Sequence, residues 1–236
     1  MRTPYNRRMA GERKVQAWTA TSPIHVSGRT YSTRDPDDPC LVLAHGAGAG
    51  HDSPFMVEFA SGLALRGVES VTFNFPYIER RRRAPDLPSV LEACWLGVAT
   101  AVRARIGDRP IFIGGKSMGG RIASQVAARQ EASALDLHGL VFLGYPLHPP
   151  GRPAQLRVAH WPSVRQPALF VQGTRDTFGT PDELRVHLPS YGGRADLLVV
   201  EGGDHSLKTP RSAKRGAAET YSGIQDEIAG WIKAQG

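Results

Sequence analysis

The chain has 236 residues, of which 41% are hydrophobic and 22% are charged, and its formal net charge at pH 7 is +7. This length and composition are those of an ordinary globular domain, and no apolar run is long enough for a transmembrane helix or a secretory signal. We therefore expect one domain over residues 1–236, a cytoplasmic location with no membrane partner, and a flexible basic segment at residues 1–14.

Much of the positive charge lies in two short segments. Residues 2–14 carry five Lys or Arg against one Glu, and Arg80 to Arg83 add four arginines. No stripe of aromatic residues is interleaved with either cluster, and no zinc-finger, helix-turn-helix or RNA-recognition signature appears. We interpret both clusters as solvated surface and not as a nucleic-acid site. The functional alternative for residues 80–83 is a rim that selects acidic substrates, because guanidinium groups match carboxylates and phosphates.

Short apolar runs alternate with helical stretches along the chain. Six runs read as strands, at residues 41–44, 68–75, 111–113, 140–143, 168–171 and 197–200. Nearly all of their residues are apolar, which is typical of strands that are buried on both faces. The alternation predicts an α/β fold with a mostly parallel central sheet and helices on both faces. One or two antiparallel strands are expected within residues 14–32.

Capping signals mark several helix boundaries. Ser53 followed by Pro54 predicts an N-cap and a proline at the first helical position. A second helix is predicted over residues 89–106. Thr180 and Glu183 have the spacing of a capping box. By contrast, the proline-rich segment between residues 143 and 168 predicts an extended loop with one short helical turn at most, and its length favours a functional role.

The loop after the first predicted buried strand consists almost entirely of glycine and alanine. Residues 44–50 read A-H-G-A-G-A-G, and so few side chains allow backbone N–H groups to approach a ligand closely. A dinucleotide-binding loop requires the spacing G-x-G-x-x-G, whereas this loop has G-x-G-x-G. The loop is therefore a candidate for anion or oxyanion binding through its backbone.

A serine stands on a predicted strand-to-helix turn, in the G-x-S-x-G pattern at residues 115–119. The apolar run 111–113 precedes the turn, and the helix-forming residues 121–129 follow it. Such a turn holds the hydroxyl of Ser117 clear of the sheet, and the next backbone N–H points at any oxyanion formed there. A phosphate-binding P-loop is excluded, because Pro110 stands where its first glycine is required. The structural alternative is that Ser117 is only the N-cap of its helix.

A serine hydroxyl requires a base and a group that orients the base. Asp176 follows the predicted strand 168–171, and His205 follows the last predicted strand, so both are expected at the carboxyl edge of the sheet with Ser117. Asp182 and Glu183 are the alternative acids, although the capping box already accounts for Glu183.

The histidines and cysteines of the chain are candidates for metal binding and for thiol chemistry. His45, Asp176 and His205 are expected on one rim, but the sequence has no H-x-x-x-H or C-x-x-C spacing, so we predict no metal. Cys40 and Cys94 lie in a strand-like run and a helical pattern, and we interpret both as core residues. No cofactor is implied.

From about residue 38 onwards, the chain resembles the α/β-hydrolase superfamily, with its nucleophile, acid and histidine in the expected order. Within the superfamily it is similar to a compact bacterial group labelled dienelactone-hydrolase-like, and to the hydrolase-like region of a eukaryotic chromatin-complex subunit. The motifs that carry this resemblance are at residues 45–50, 73–77, 115–120, 144–150 and 170–179. True dienelactone hydrolases have a cysteine nucleophile, so the serine at position 117 leaves the substrate unassigned.

The resemblance implies a serine hydrolase that acts on a small carboxylic ester or thioester. Ser117 is the expected nucleophile, His205 the base and Asp176 the residue that orients His205. The backbone N–H groups of Met118 and Ala47 are the expected oxyanion donors, with Gly48 as the substitute for Ala47.

The proline-rich loop takes the place of the helical lid of lipases, which implies a shallow, uncapped pocket. His45, Tyr145, Pro146 and His148 are expected to line this pocket because of where they fall in the sequence. The alternative function is a binding protein with a hydrolase fold and a vestigial pocket. The sequence identifies no protein partner.

Overall fold

The computed structural model describes residues 15–20, 25–210 and 216–235, so the basic segment 1–14 lies outside the described residues. Eight strands form one sheet in this part of the chain. They are Val15–Ala20 (β1), Val26–Tyr31 (β2), Cys40–Ala44 (β3), Glu69–Phe73 (β4), Ile111–Lys116 (β5), Leu137–Leu143 (β6), Ala168–Gly173 (β7) and Ala195–Val200 (β8).

The order of the strands across the sheet is β1-β2-β4-β3-β5-β6-β7-β8. β1 pairs with β2, and β2 with β4, in antiparallel register, whereas every pairing from β4 to β8 is parallel. All six apolar runs are strands, and the two antiparallel strands lie within residues 14–32. The predicted fold class is therefore confirmed.

Helices cover both faces of the sheet. They are Pro54–Ala64 (α1), Pro76–Glu79 (α2), Pro88–Ile106 (α3), Met118–Ala127 (α4), Pro181–His187 (α5) and Ala217–Lys233 (α6). Alternate residues of β3 belong to different hydrophobic clusters. Val42 packs in the cluster that contains Trp95 of α3, whereas Leu41 packs in the cluster that contains Phe59 of α1 and Ile228 of α6. Burial on both faces explains why β3 has no polar alternation.

The predicted helix boundaries are found with small differences. Ser53 is the N-cap of α1 and Pro54 is its first residue, although the Ser53 side chain makes no capping hydrogen bond. The Thr180 hydroxyl accepts a hydrogen bond from the Glu183 backbone N–H at 3.3 Å, and the Glu183 carboxylate accepts one from the Thr180 N–H at 2.7 Å. The capping box is confirmed.

The proline-rich segment between β6 and β7 is an extended loop whose only helical turn is Trp161–Ser163. Its aromatic side chains fix it to the core. The Trp161 indole donates a hydrogen bond to the Tyr145 hydroxyl at 3.0 Å, and that hydroxyl donates to the Arg157 carbonyl oxygen at 2.9 Å. Residues 144–167 therefore contain no lid helix, as the sequence predicts.

Cys40 and Cys94 are both buried, and burial raises the pKa of each thiol to about 12. A thiol with such a pKa stays protonated and is a weak nucleophile near neutral pH. Both cysteines are therefore core residues, as predicted. Of the helices in the described ranges, none is long and apolar enough to cross a membrane.

Close packing of α4 against β3 requires glycine at position 119. A Cβ there would lie far inside van der Waals distance of the Ala44 and His45 carbonyl groups, whereas a Cβ on the exposed Gly230 of α6 would meet no described atom within 4 Å. We expect Gly119→Ala to lower the free energy of unfolding by about 2–4 kcal/mol, because the backbone must shift. Gly230→Ala is the matched control, and it should raise the same quantity by about 0.5–1 kcal/mol. Urea unfolding of both variants measures these changes, and equal effects would contradict the packing argument.

Candidate active site

Ser117 lies between the end of β5 and the start of α4, with φ 50° and ψ −116°. Such a positive φ is strained for a residue with a side chain. The turn is possible because Gly115 and Gly119 have no Cβ to collide with the backbone at Ala44. The Ser117 N–H donates to the Leu143 carbonyl oxygen at 3.1 Å, which ties the turn to β6.

The side chains of Ser117, His205 and Asp176 form one hydrogen-bonded chain at the carboxyl edge of the sheet. His205 Nε2 lies 2.8 Å from Ser117 Oγ. His205 Nδ1 lies 2.9 Å from Asp176 Oδ1 and 2.8 Å from Oδ2. A carboxylate can only accept hydrogen bonds, so Nδ1 carries the proton and Nε2 is free to accept one from the serine. This arrangement can deprotonate a serine during nucleophilic attack.

The Asp176 carboxylate is only 1% exposed, and it is surrounded by hydrogen-bond donors. In addition to His205, Oδ2 accepts a hydrogen bond from Gln172 Nε2 at 2.9 Å, and Oδ1 accepts one from the Phe178 N–H at 2.8 Å. A buried carboxylate is tolerated when its lone pairs are satisfied in this way. The three donors also fix the orientation in which Asp176 meets the imidazole.

The two alternative acids do not contact His205. Glu183 is engaged by the capping box and by His148, whose Nε2 lies 3.1 Å from Glu183 Oε1. Asp182 is exposed and pairs with Arg185. Among these three acidic residues, Asp176 alone has the geometry to orient the histidine.

Two side chains that sequence reasoning missed hold His205 in place. The Phe178 ring stacks on the imidazole, with 4.1 Å between the ring centroids. The Lys116 ammonium group donates a hydrogen bond to the His205 carbonyl oxygen. Burial lowers the pKa of Lys116 to about 8, although the nearby carboxylates of Asp176 and Asp204 oppose this shift. The sequence shows a lysine directly before Ser117, but it does not show that the side chain of this lysine is directed towards His205.

His45 has a structural position behind the glycine-rich loop. It is completely buried, its Nδ1 lies 2.8 Å from the Gly46 carbonyl oxygen, and its Nε2 accepts a hydrogen bond from the Phe75 N–H at 3.1 Å. Burial lowers the pKa of His45 to about 4, which keeps the ring neutral. The prediction that His45 lines the pocket is wrong, because both of its ring nitrogens bind the backbone.

A cavity of about 610 Å³ opens in front of Ser117 and His205. Pro146 lines it, as predicted. The expected oxyanion donors Met118 and Ala47 also line it, whereas the substitute Gly48 does not. Its apolar wall also includes Pro54, Phe55, Met56 and Phe178.

Tyr145 and His148 do not line this cavity, so the prediction that they do is wrong. Tyr145 is 1% exposed and packs edge-on against Trp161, with 5.2 Å between the ring centroids. His148 is 5% exposed, and its two ring nitrogens face the Pro149 carbonyl oxygen and the Glu183 carboxylate. Both side chains are therefore buried in the protein and are not part of the cavity wall.

The charged side chains that line the cavity are all positive. They are Lys116, Arg121, Arg157 and Lys208, and none of the described lining residues is acidic. The cluster at residues 80–83 does not line the cavity, and Arg82 pairs with Asp86 instead. The sequence hypothesis of an anion-selecting rim at residues 80–83 is therefore not supported by its position. In the described ranges, no three His, Cys, Asp or Glu side chains are grouped closely enough to hold a metal ion.

Comparison with known proteins gives a consistent assignment of the fold. The model of a family described as "Alpha/beta hydrolase domain" matches residues 37–233. The chain is similar to the structure of a dienelactone hydrolase from Anabaena variabilis, with 16% identity over 94% of this chain and 98% of that one, and a TM-score of 0.74. It is also similar to an α/β serine hydrolase without a lid from Xanthomonas campestris, with 18% identity over 94% and 93% of the two chains and a TM-score of 0.64.

A third similar structure is Est1E from Butyrivibrio proteoclasticus with bound ferulic acid. It is 13% identical over 92% of this chain and 100% of that one, and the TM-score is 0.72. At these levels of identity the structures show a shared fold. The resemblance read from the sequence motifs is confirmed for the superfamily and for the dienelactone-hydrolase-like proteins, whereas the similarity to a chromatin-complex subunit stays a prediction.

Proposed function

The chain belongs to the alpha/beta hydrolase domain family, and we propose that it is a serine hydrolase that cleaves a small carboxylic ester or thioester. The observation that carries this proposal is the unbroken hydrogen-bonded chain from Ser117 Oγ through the His205 ring to the Asp176 carboxylate. An α/β-hydrolase fold by itself does not specify the activity, so the proposal rests on this geometry.

In the proposed reaction, Ser117 Oγ attacks the substrate carbonyl carbon while His205 Nε2 takes the hydroxyl proton. Asp176 stabilises the imidazolium ion that results, without accepting its proton. The tetrahedral intermediate collapses when His205 donates this proton to the leaving oxygen or sulfur atom, which leaves an acyl-enzyme on Ser117. A water molecule then repeats the sequence, with His205 as its base, and releases the acid.

The backbone supplies the proposed oxyanion donors. Met118 is the first residue of α4, so its N–H has no acceptor within the helix. Ala47 lies in the glycine-rich loop, and both residues line the cavity next to Ser117. We assign the second donor to Ala47 and not to Gly48, which does not line the cavity. Each such donor typically contributes about 10²–10³ in turnover.

The size of the cavity supports a small substrate. A volume of about 610 Å³ lies within the usual range of small-molecule pockets, and residues 144–167 form no lid helix over it. Phe55, Met56 and Phe178 provide an apolar surface for the acyl or alcohol group. The proposed mechanism requires no cofactor, because protein groups supply the nucleophile, the base and the oxyanion donors.

Labelling with a fluorophosphonate probe tests the proposal. We expect the wild type to be labelled and Ser117→Ala to lose all labelling, because the probe reacts with an activated serine. Ser206→Ala is the matched control, since Ser206 lines the same cavity, and this variant should keep its labelling. No labelling of the folded wild type would contradict the proposal and favour a binding protein with a hydrolase fold. Rates on p-nitrophenyl esters from acetate to decanoate, beside thioesters, then define the acyl group.

A further inference from the structure

Two arginines face the cavity from different elements. Arg121 lies on α4, one turn after the nucleophile, and its N–H donates to the Ser117 carbonyl oxygen at 3.0 Å. Arg157 lies in the proline-rich loop, where its N–H donates to the Leu147 carbonyl oxygen at 2.8 Å and its own carbonyl oxygen accepts from Tyr145. The backbones of both arginines are therefore held by hydrogen bonds at the cavity wall.

In the described part of the chain, neither guanidinium group has a partner of opposite charge. Neither of them forms an ion pair with any described carboxylate, whereas Arg66 and Arg129 each reach one at 2.6 Å. The Arg121 guanidinium makes one long hydrogen bond, at 3.3 Å to Gln125 Oε1, and its buried Nε has no acceptor among the described atoms.

The two arginines also repel each other. Burial lowers the pKa of Arg157, and the positive charge of Arg121 lowers it further. Two partly buried like charges without a counter-ion are unfavourable, and a bound anion would compensate both of them. The planar guanidinium groups match the paired oxygens of a carboxylate or phosphate.

We propose that Arg121 and Arg157 form an anion subsite, and that the substrate is an ester or thioester that carries a second, negatively charged oxyanion group, a carboxylate or a phosphate. The claim that the bound anion is part of a substrate rests on the proposed function. The anion subsite itself is a property of the cavity and does not depend on catalysis. Lys208 is exposed at the same cavity and attracts anions to it. Lys116 is already bound to the His205 carbonyl oxygen, so it adds charge without being a free ligand.

The kinetic test compares esters that differ only in charge. Mono-p-nitrophenyl adipate is compared with its neutral methyl ester. 3-Acetoxybenzoate and 3-acetoxyphenyl phosphate place the charge on the alcohol instead, and their neutral analogues are the methyl ester and the dimethyl phosphate ester. For at least one pair, we expect the kcat/KM of the wild type to be about 10–100-fold higher for the charged ester than for its neutral analogue, as charge-assisted hydrogen bonds allow. In the double variant Arg121→Gln, Arg157→Gln this ratio should fall to about one.

The control variant is Arg152→Gln, Arg165→Gln, which removes two exposed arginines of the same loop that do not line the cavity. Its net charge equals that of the test variant, so it should keep the wild-type ratio if the effect is local. If the test variant does not fold, Arg157→Gln alone replaces it and should lose part of the preference. A wild-type ratio near one for every pair would overturn the inference.

A binding test separates the subsite from the proposed catalysis. Calorimetric titration of Ser117→Ala with adipate and with phenyl phosphate should show saturable binding of at least one anion, and the identity of that anion distinguishes carboxylate from phosphate. Binding should be lost when Arg121→Gln and Arg157→Gln are added, and retained with the control pair. Failure of both anions to bind, together with normal fluorophosphonate labelling of the wild type, would overturn the subsite and leave the proposed function intact. Anion binding without fluorophosphonate labelling of the wild type would support the subsite and overturn the proposed function.

Discussion

Ser117→Ala is expected to lower kcat for p-nitrophenyl acetate by about 10⁵-fold, because the covalent route disappears and only the oxyanion donors and substrate binding still act. The overall fold should be unchanged, since the Ser117 hydroxyl makes no capping hydrogen bond to α4. Initial rates, with KM measured for both proteins, test this expectation. A fall of less than tenfold in kcat would show that another group is the nucleophile.

Ser117→Gly separates the chemical role of this position from its backbone strain. With φ at 50°, a residue with a side chain at this position stores about 1–3 kcal/mol of strain, which glycine relieves at some cost in entropy. We expect Ser117→Gly to be as inactive as Ser117→Ala but more stable than it by about 1 kcal/mol in urea unfolding. If the alanine variant is the more stable one, the turn does not keep its positive φ in the mutants.

Most of the fold could be predicted because strands that are buried on both faces have a distinct pattern. The clearest difference is in the run at residues 68–75, where the strand ends at Phe73 and Pro76 begins the short helix α2. Proline cannot donate a hydrogen bond within a sheet, so it ends the strand although Phe75 before it is apolar and buried.

The sequence predicts those residues of the candidate site whose location follows from their position at the end of a strand. Strand ends meet at one edge of a parallel sheet, which is why Asp176 and His205 could be placed near Ser117. The direction of a side chain in a loop depends on packing that the sequence does not display. Tyr145 follows a strand end, as Asp176 follows another, but its ring joins the aromatic core and its hydroxyl binds the proline-rich loop.

The sequence contains a signal that places Arg121 near Ser117. It follows Ser117 by four residues at the start of α4, and residues with this spacing lie on the same face of a helix. The proline-rich loop has no such periodicity, so nothing in its sequence indicates that Arg157 lines the same cavity as Arg121. The proposed anion subsite therefore combines one residue that periodicity predicts with another that only the tertiary structure reveals.

Asp176→Asn is expected to lower kcat by about 10⁴-fold at neutral pH with little change in KM. Three donors converge on the carboxylate, namely His205 Nδ1, Gln172 Nε2 and the Phe178 N–H. An asparagine replaces one carboxylate oxygen with an NH₂ group, which cannot accept a hydrogen bond. Either this NH₂ group faces one of the donors, or the imidazole of His205 changes its tautomer. In that tautomer the proton moves to Nε2, which then cannot accept the proton of Ser117. The lost acceptor should also lower the free energy of unfolding by about 1–3 kcal/mol.

The two rejected acids provide the matched controls for this variant. Asp182→Asn removes an exposed carboxylate whose ion-pair partner among the described residues is Arg185, and its kcat should stay within about twofold of the wild type. Glu183→Gln weakens the capping box, so it should lower stability by about 1 kcal/mol while kcat changes by less than about threefold. Steady-state kinetics beside urea unfolding separates the two effects. A loss of kcat in Glu183→Gln as large as that in Asp176→Asn would assign the orienting role to Glu183. A change in the stability of α5 alone would lower the amount of folded enzyme and not its turnover.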